Sequence, residues 1–237
     1  MNSKLALLLP IRCILFILSF LLLTLILNES LENLTYTWSI VCTVINIIVI
    51  LIIMLLTKVK GSNLLRQINY DKGKTKFKEV IITTLIVLVL GMGGMYLSGL
   101  IFYQKFPYLA PDMISPIPLW LAIINFFIMP ISTAIAEDSL YLGCGVNSIN
   151  NKYLKIIIPG FFFALQHSFI PFLLDMRFIG YRFFSFLPLT LLLAYIYDKR
   201  KNPIPIMIAH GIIDLFTVTW ILITSINPDF YNSLVSL

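Results

Sequence analysis

The feature that most constrains this chain is a series of apolar runs long enough to cross a bilayer. A helix needs about 20 predominantly apolar residues to span the hydrocarbon core. Seven such segments can be drawn: Leu5–Leu27, Trp38–Leu56, Val80–Tyr103, Pro116–Leu142, Ile156–Leu174, Phe178–Tyr197 and Ile204–Ile226. Backbone N–H and C=O groups in lipid must be satisfied within the segment, which a helix does. The expected fold is therefore all-α, a polytopic transmembrane helix bundle with seven membrane helices, or eight if residues 156–197 are more broken than drawn. The first run is longer than a signal-peptide core and has no small-x-small cleavage site, so it is expected to remain as a membrane helix.

Composition excludes the competing classes. Only 12% of the 237 residues are charged, against about 25% in an ordinary soluble domain. Disorder is excluded because 59% of the chain is hydrophobic and 14% aromatic, whereas disordered chains are polar. The net charge of +6 would suggest nucleic acid in a soluble protein. Here the basic residues cluster between apolar runs, so no nucleic-acid partner is expected; the partner is the membrane lipid bilayer.

Those clusters orient the chain. Lys58, Lys60, Arg66, Lys72, Lys74, Lys76 and Lys78 lie between the second and third segments, Lys152 and Lys155 before the fifth, and Lys199, Arg200 and Lys201 before the seventh. Twelve of the 17 basic residues thus fall on one side, and Arg12 lies inside the first segment. The positive-inside rule places the N-terminus in the cytoplasm and the C-terminus outside, in a multi-pass protein of the cell membrane. Usage rich in Ile, Asn and Lys suits an AT-rich bacterial genome. Cys13, Cys42 and Cys144 are isolated and have no metal-ligand spacing. In the third segment, Gly91, Gly93, Gly94, Ser98 and Gly99 form a stripe of small residues that lets helix backbones approach closely.

Titratable side chains at membrane depth are costly and mark functional sites by default. Glu137, Asp138, His167, His210 and Asp214 qualify, and they include both histidines of the chain. At ~1.5 Å per residue, Glu137 and Asp138 lie about 7 Å from the cytoplasmic end of their segment, His210 about 9 Å and His167 about 16 Å. All can meet in one polar cavity. His210 and Asp214 are four apart and share a helix face, as do Phe163 and His167. Glu137 and Asp138, being adjacent, point about 100° apart. Peptide hydrolysis needs a base beside a water and donors beside the developing oxyanion, and this set contains both. The bland alternatives are that these groups tie helices together by hydrogen bonds or serve an ion pathway in a small transporter.

Three motifs then carry a resemblance. Glu137-Asp138-Ser139-Leu140-Tyr141-Leu142-Gly143 resembles the EExxxR-G motif of the CPBP family, which includes the CAAX proteases, the bacteriocin-processing enzymes and the Abi proteins. Phe163-Ala164-Leu165-Gln166-His167 is similar to its FxxxH motif, and His210-Gly211-Ile212-Ile213-Asp214 to its HxxxN or HxxxD motif. The likeness covers roughly residues 115–220, and the first three helices read as generic. Two parts of one integrated membrane domain are expected: residues 1–110, the N-terminal helices and basic loop, and residues 111–237, the catalytic helix bundle.

The resemblance implies an intramembrane endopeptidase with a conical polar cavity open to the cytoplasm. It implies that Glu137 is the base that activates water, assisted by His167, while His210 and Asp214 stabilise the oxyanion. Asp138 and Phe163 support them. The implied substrate is a hydrophobic, lipidated or prenylated membrane peptide, with roles in peptide or bacteriocin maturation or in self-immunity. No cofactor is expected, since one Glu and two His without HExxH are not the usual hydrolytic zinc arrangement. A divalent metal such as zinc, if bound, would use the same Glu137, His167 and His210. Two positions depart from the motif: the second acid is Asp138, and Leu142 stands where the motif has Arg. Asp138, four residues from 142 on an α-helical face, would then need another cation such as Lys152 or Lys155. The departure at Leu142 keeps open a second reading, a catalytically silent membrane protein that confers immunity or regulates by binding. The oligomeric state is not legible.

Overall fold

Runs such as Ile45–Ile53 leave a backbone in lipid no partner but itself, and the chain winds into helices throughout. The structure is a computed structural model that describes residues 3–108 and 110–235. Among the described residues there is no strand. In chain order the helices are α1 (Ile11–Leu27), α2 (Trp38–Val59), the short α3 (Leu64–Gln67), α4 (Phe77–Tyr103) and α5 (Leu119–Glu137). They continue with a π-helix (Asp138–Val146), α6 (Leu154–His167), α7 (Met176–Arg200), α8 (Ile204–Ile226) and α9 (Pro228–Val235). A short 3-10 helix over Ser3–Leu8 precedes α1, and another over Glu32–Thr37 runs into α2.

Among the described residues, six stretches are long and apolar enough to cross a membrane: Ala6–Leu27, Glu32–Val59, Phe77–Tyr103, Leu119–Val146, Met176–Arg200 and Ile204–Ile226. They correspond to the first four, the sixth and the seventh segments read from sequence. The protein is a polytopic helical bundle. The fifth segment is shorter than expected. α6 holds 14 residues, about 21 Å at 1.5 Å per residue, which is less than the ~30 Å hydrocarbon core.

The end of α6 is therefore a helix terminus that needs local partners for its carbonyls. Ser168, Phe169 and Ile170 donate back to Leu165, Gln166 and His167 in tight turns. Arg182 of α7, which is buried, adds a cation at this carbonyl end: its Nε donates to the His167 carbonyl at 3.3 Å. A cation there also complements the helix dipole. Irregular backbone within an apolar slab is tolerated only when it is buried in protein in this way. That requirement explains why an Arg sits inside the sixth apolar segment.

The bundle is organised around α5 to α8. α6 packs along α7, α5 along α8, and α4 against both α7 and α8; α2 lies against α5. Contact between α4 and α7 depends on the missing side chain at Gly94, where an added Cβ would stand 2.1 Å from the Ser185 carbonyl oxygen. At Gly91 the same atom would meet Ile213 of α8 at 2.7 Å. The small-residue stripe thus packs on two faces, whereas Gly93 has open space around it. Outside these contacts the helices present exposed Leu, Ile and Phe such as Leu25, Ile101, Phe127 and Phe216, a surface suited to lipid rather than water.

Candidate active site

Polar side chains from several apolar helices converge where α5 passes into the π-helix. Pro130 lies within α5, and from Asp138 onward the backbone winds as a nine-residue π-helix. π-Segments of this kind are uncommon and recur at functional sites. The change of winding also matters for the motif. The α-helical spacing that placed residue 142 on the face of Asp138 no longer holds, and Leu142 is wholly buried in the apolar core.

Glu137 and Asp138 both reach His210 of α8, from opposite edges of its ring. Asp138 Oδ1 is 3.3 Å from Nδ1, and Glu137 Oε2 is 3.6 Å from Nε2. The two adjacent acids do point apart, and one imidazole between them joins their directions. Asp214, one turn on, brings Oδ2 to 3.7 Å from the same Nε2. The His210–Asp214 pairing on one helix face is thus present. Neither Lys152 nor Lys155 takes the role suggested for a partner of Asp138. Lys155 pairs with Asp198 at 2.7 Å, and Asp138 instead meets His210.

His167 stands on the other side of Phe163. Its Nδ1 lies 2.8 Å from the Phe163 carbonyl oxygen. A carbonyl can only accept, so Nδ1 carries the proton and Nε2 is the nitrogen left for other work. The ring stacks on Phe186 at 3.8 Å, and Arg182 lies over the far part of that sandwich at 5.0 Å from the Phe186 centroid. Phe163 is 6.0 Å from His167, 5.9 Å from His210 and 4.7 Å from Tyr141, ring centre to ring centre. The aromatic platform beside His167 therefore also serves His210. No hydrogen bond or ion pair among the described residues joins His167 to Glu137.

One residue that the motifs do not contain completes the cluster. Arg12 of α1 is fully buried and donates from three nitrogens. Nη2 reaches Glu137 Oε1 at 2.7 Å, Nη1 reaches Asn46 Oδ1 at 2.7 Å, and Nε reaches Gln166 Oε1 at 2.5 Å. These acceptors come from α5, α2 and α6. Asn46 in turn donates to Thr133 Oγ1 at 2.8 Å and Ser132 Oγ at 3.2 Å. Gln166 Oε1 also accepts from the Tyr141 hydroxyl at 3.1 Å. A planar guanidinium suits such directed bonding. The first helix thus contributes a cation to the cluster, and Arg12 gives it to Glu137.

The Arg12 contact leaves the two Glu137 oxygens unequal. Oε1 is engaged, while Oε2 is buried without a hydrogen-bond partner, as are Asp138 Oδ2 and Asp214 Oδ2. Glu137 Oε2 and Asp214 Oδ2 both lie near His210 Nε2 and mark the polar spot of the site. Among the described residues, no three His, Cys, Asp or Glu side chains are grouped so that they could hold a metal ion.

Comparison with known proteins adds one finding about this region. Residues 118–216 match the family model described as Type II CAAX prenyl endopeptidase Rce1-like. No curated protein and no solved structure matches the chain. The matched stretch contains Glu137, Asp138, Phe163, His167, His210 and Asp214, and it agrees with the CPBP likeness read from the three motifs. Arg12 lies outside it. The family is one of endopeptidases, so the likeness is to a membrane protease.

Proposed function

We propose, from the kinship of residues 118–216 to CAAX prenyl endopeptidases, that this chain is an intramembrane endopeptidase that acts on a hydrophobic or lipidated peptide. The observation that carries the reading is the pairing of a buried Glu137, one oxygen tied to Arg12 and the other free, with His210 held between carboxyl groups.

In this mechanism Glu137 Oε2 is the general base. A water held at Oε2 gives it a proton as the water oxygen attacks the scissile carbonyl, and the C–O bond forms as the carbonyl π pair moves to oxygen. His210, as imidazolium, donates from Nδ1 to Asp138 and from Nε2 to the oxyanion. Asp214 keeps that ring in place. When the C–N bond breaks, the proton on Glu137 passes to the leaving nitrogen. Arg12 holds Oε1, so Oε2 is the oxygen presented to water in every turnover. His167, whose Nδ1–H donates a hydrogen bond to the Phe163 carbonyl, offers Nε2 to the attacking water or the substrate. Positioning and prepaid electrostatics of this kind are the larger part of hydrolytic catalysis.

The purified chain in proteoliposomes, supplied with a C-terminally farnesylated peptide, tests this reading. Release of a C-terminal fragment by the native chain and its loss in Glu137→Gln at equal folded amounts are expected. Equal release by both would contradict it.

One observation favours a second reading. Glu137 is 1% exposed and ion-paired, as in a polar tie between helices that never meets a substrate. A silent membrane partner of this kind would keep its cellular phenotype in Glu137→Gln, whereas the protease loses it.

A further inference from the structure

A second polar recess lies away from the site, on the face that carries the basic loops. It is an open-sided cavity of about 580 Å³, within the ~300–1,000 Å³ range of small-molecule sites. Four elements supply a cation each: Lys60 at the end of α2, Arg66 of α3, Lys155 at the start of α6 and Lys201 just past α7. No Asp or Glu is among its described lining residues.

The charges are only partly neutralised. Asp198, behind the wall, pairs with Lys155 at 2.7 Å and with Lys201 at 3.1 Å. That one carboxylate serves two cations. Among the described residues no carboxylate lies within 4 Å of Lys60 or Arg66, so the recess keeps a clear positive excess. Its floor is braced by amides. Asn147 Nδ2 donates to the Tyr197 hydroxyl at 2.9 Å, Asn69 Nδ2 to the same oxygen at 2.8 Å, and Lys201 Nζ to Asn147 Oδ1 at 3.2 Å. The cations therefore surround a formed depression rather than a loose surface.

The rim identifies the setting. Val59, next to Lys60, and Tyr153 and Leu154, next to Lys155, are all exposed apolar residues. Tyr153 is also covered by the Lys152 ammonium at 4.7 Å from its ring centre. Apolar residues beside a ring of cations, with Tyr at the boundary, are what the junction of acyl chains and headgroups requires. Basic pockets between membrane helices on this face are sites for anionic lipid headgroups.

We propose that this recess binds the phosphate-bearing headgroup of an anionic membrane lipid, with Lys60 and Arg66 as its principal contacts. The geometry gives such binding a consequence. Asn147 ends the π-helix that begins at Asp138, and Lys201 opens the link to the helix that holds His210. A headgroup seated here braces both at their basic-face ends. The proposal is independent of whether the site above is catalytic.

The test uses the purified full chain in detergent, mixed with phosphatidylglycerol or with phosphatidylcholine of the same acyl chains, and read by native mass spectrometry. The phosphatidylglycerol adduct is expected to survive at collision energies that strip phosphatidylcholine. Its retained fraction is expected to fall at least tenfold in Lys60→Gln/Arg66→Gln. Equal retention of the two lipids, or unchanged retention in the variant, overturns the proposal. If the double variant does not fold, Lys60→Gln and Arg66→Gln are measured singly, and each is expected to lose at least threefold. A second arm compares the rise in unfolding temperature caused by inorganic phosphate with that caused by dioctanoyl phosphatidylglycerol, at equal ionic strength. A rise with the lipid alone supports a headgroup site. An equal rise with phosphate, lost in the same variants, assigns the recess to a soluble phosphate and overturns the lipid assignment.

Discussion

Arg12 and Glu137 meet at 2.7 Å, with the guanidinium wholly buried, although they lie 125 residues apart. The contact joins the first helix of the chain to the helix that bears the acidic motif. It engages one carboxylate oxygen and leaves the other facing His210.

Removing the cation exposes its weight. Arg12→Leu leaves Glu137, Asn46 and Gln166 without their shared donor, and breaking a buried pair in this way costs about 3–5 kcal/mol. Thermal unfolding in detergent is expected to show the loss. Arg12→Lys keeps the charge but not the three directed bonds. It is expected to fold and to lower kcat about ten- to a hundredfold with KM little changed, because the base is misplaced rather than the substrate unbound. A parallel change in stability with no kcat-specific effect would make Arg12 a structural tie alone.

Asp138 is expected to act through His210. In Asp138→Asn the amide can still reach Nδ1 at the observed 3.3 Å, but it can donate where a carboxylate could only accept, so the ring's tautomer is no longer fixed. Activity is expected to fall by about 10² or more, the scale of a lost acid–base group. Steady-state rates over a range of pH, with helix content checked by circular dichroism, measure this. A native rate in Asp138→Asn contradicts the role.

Packing at the small-residue stripe separates two neighbouring glycines. Gly94→Ala places a methyl group against the Ser185 backbone, 2.1 Å from its oxygen, and is expected to destabilise the bundle by about 1–3 kcal/mol. Gly93→Ala meets nothing within 4 Å and is expected to be neutral or to stabilise by up to about 1 kcal/mol through helix propensity. Unfolding temperatures of the two variants, side by side, decide the matter.

Arg182 tests the end of α6. Arg182→Gln removes the cation at the His167 carbonyl and over Phe186, and a loss of about 1–2 kcal/mol is expected from the cap and dipole terms. Hydrogen exchange at Ser168, Phe169 and Ile170 is expected to quicken more than at the centre of α7. Uniform protection across both segments would show that the turns hold without it.

The bundle and the acidic and imidazole groups were legible because their signals are local. A 20-residue apolar run is recognisable by itself, and His210 and Asp214 lie four residues apart on one helix. Arg12 was only half legible. An arginine within an apolar run is costly by the same rule that marks Glu137, yet nothing local says which acid it meets. Asn46 and Gln166, its other acceptors, look like ordinary polar residues among apolar ones. The π-winding from Asp138 was also hidden, since the residues there carry no distinct periodicity. It is the reason that the α-helical spacing from Asp138 to residue 142 misled. The early end of α6 does have a local signal: Pro171 has no N–H for the His167 carbonyl four residues before it and its ring crowds that carbonyl. Ser168–Leu174 is otherwise as apolar as a helix would be, and the closing cation, Arg182, comes from the next helix.

In the proposed mechanism Glu137 acts as a base on a peptide in the membrane. Membrane peptidomes of cells that express the native chain and Glu137→Gln at matched folded levels test it most directly, since Gln keeps the size and the acceptor oxygen for Arg12 but cannot take a proton. A peptide product present with the native chain and absent with the variant is the result this account predicts. Identical peptidomes, with the cellular phenotype intact in both, would contradict it and leave the polar cluster as a tie between helices.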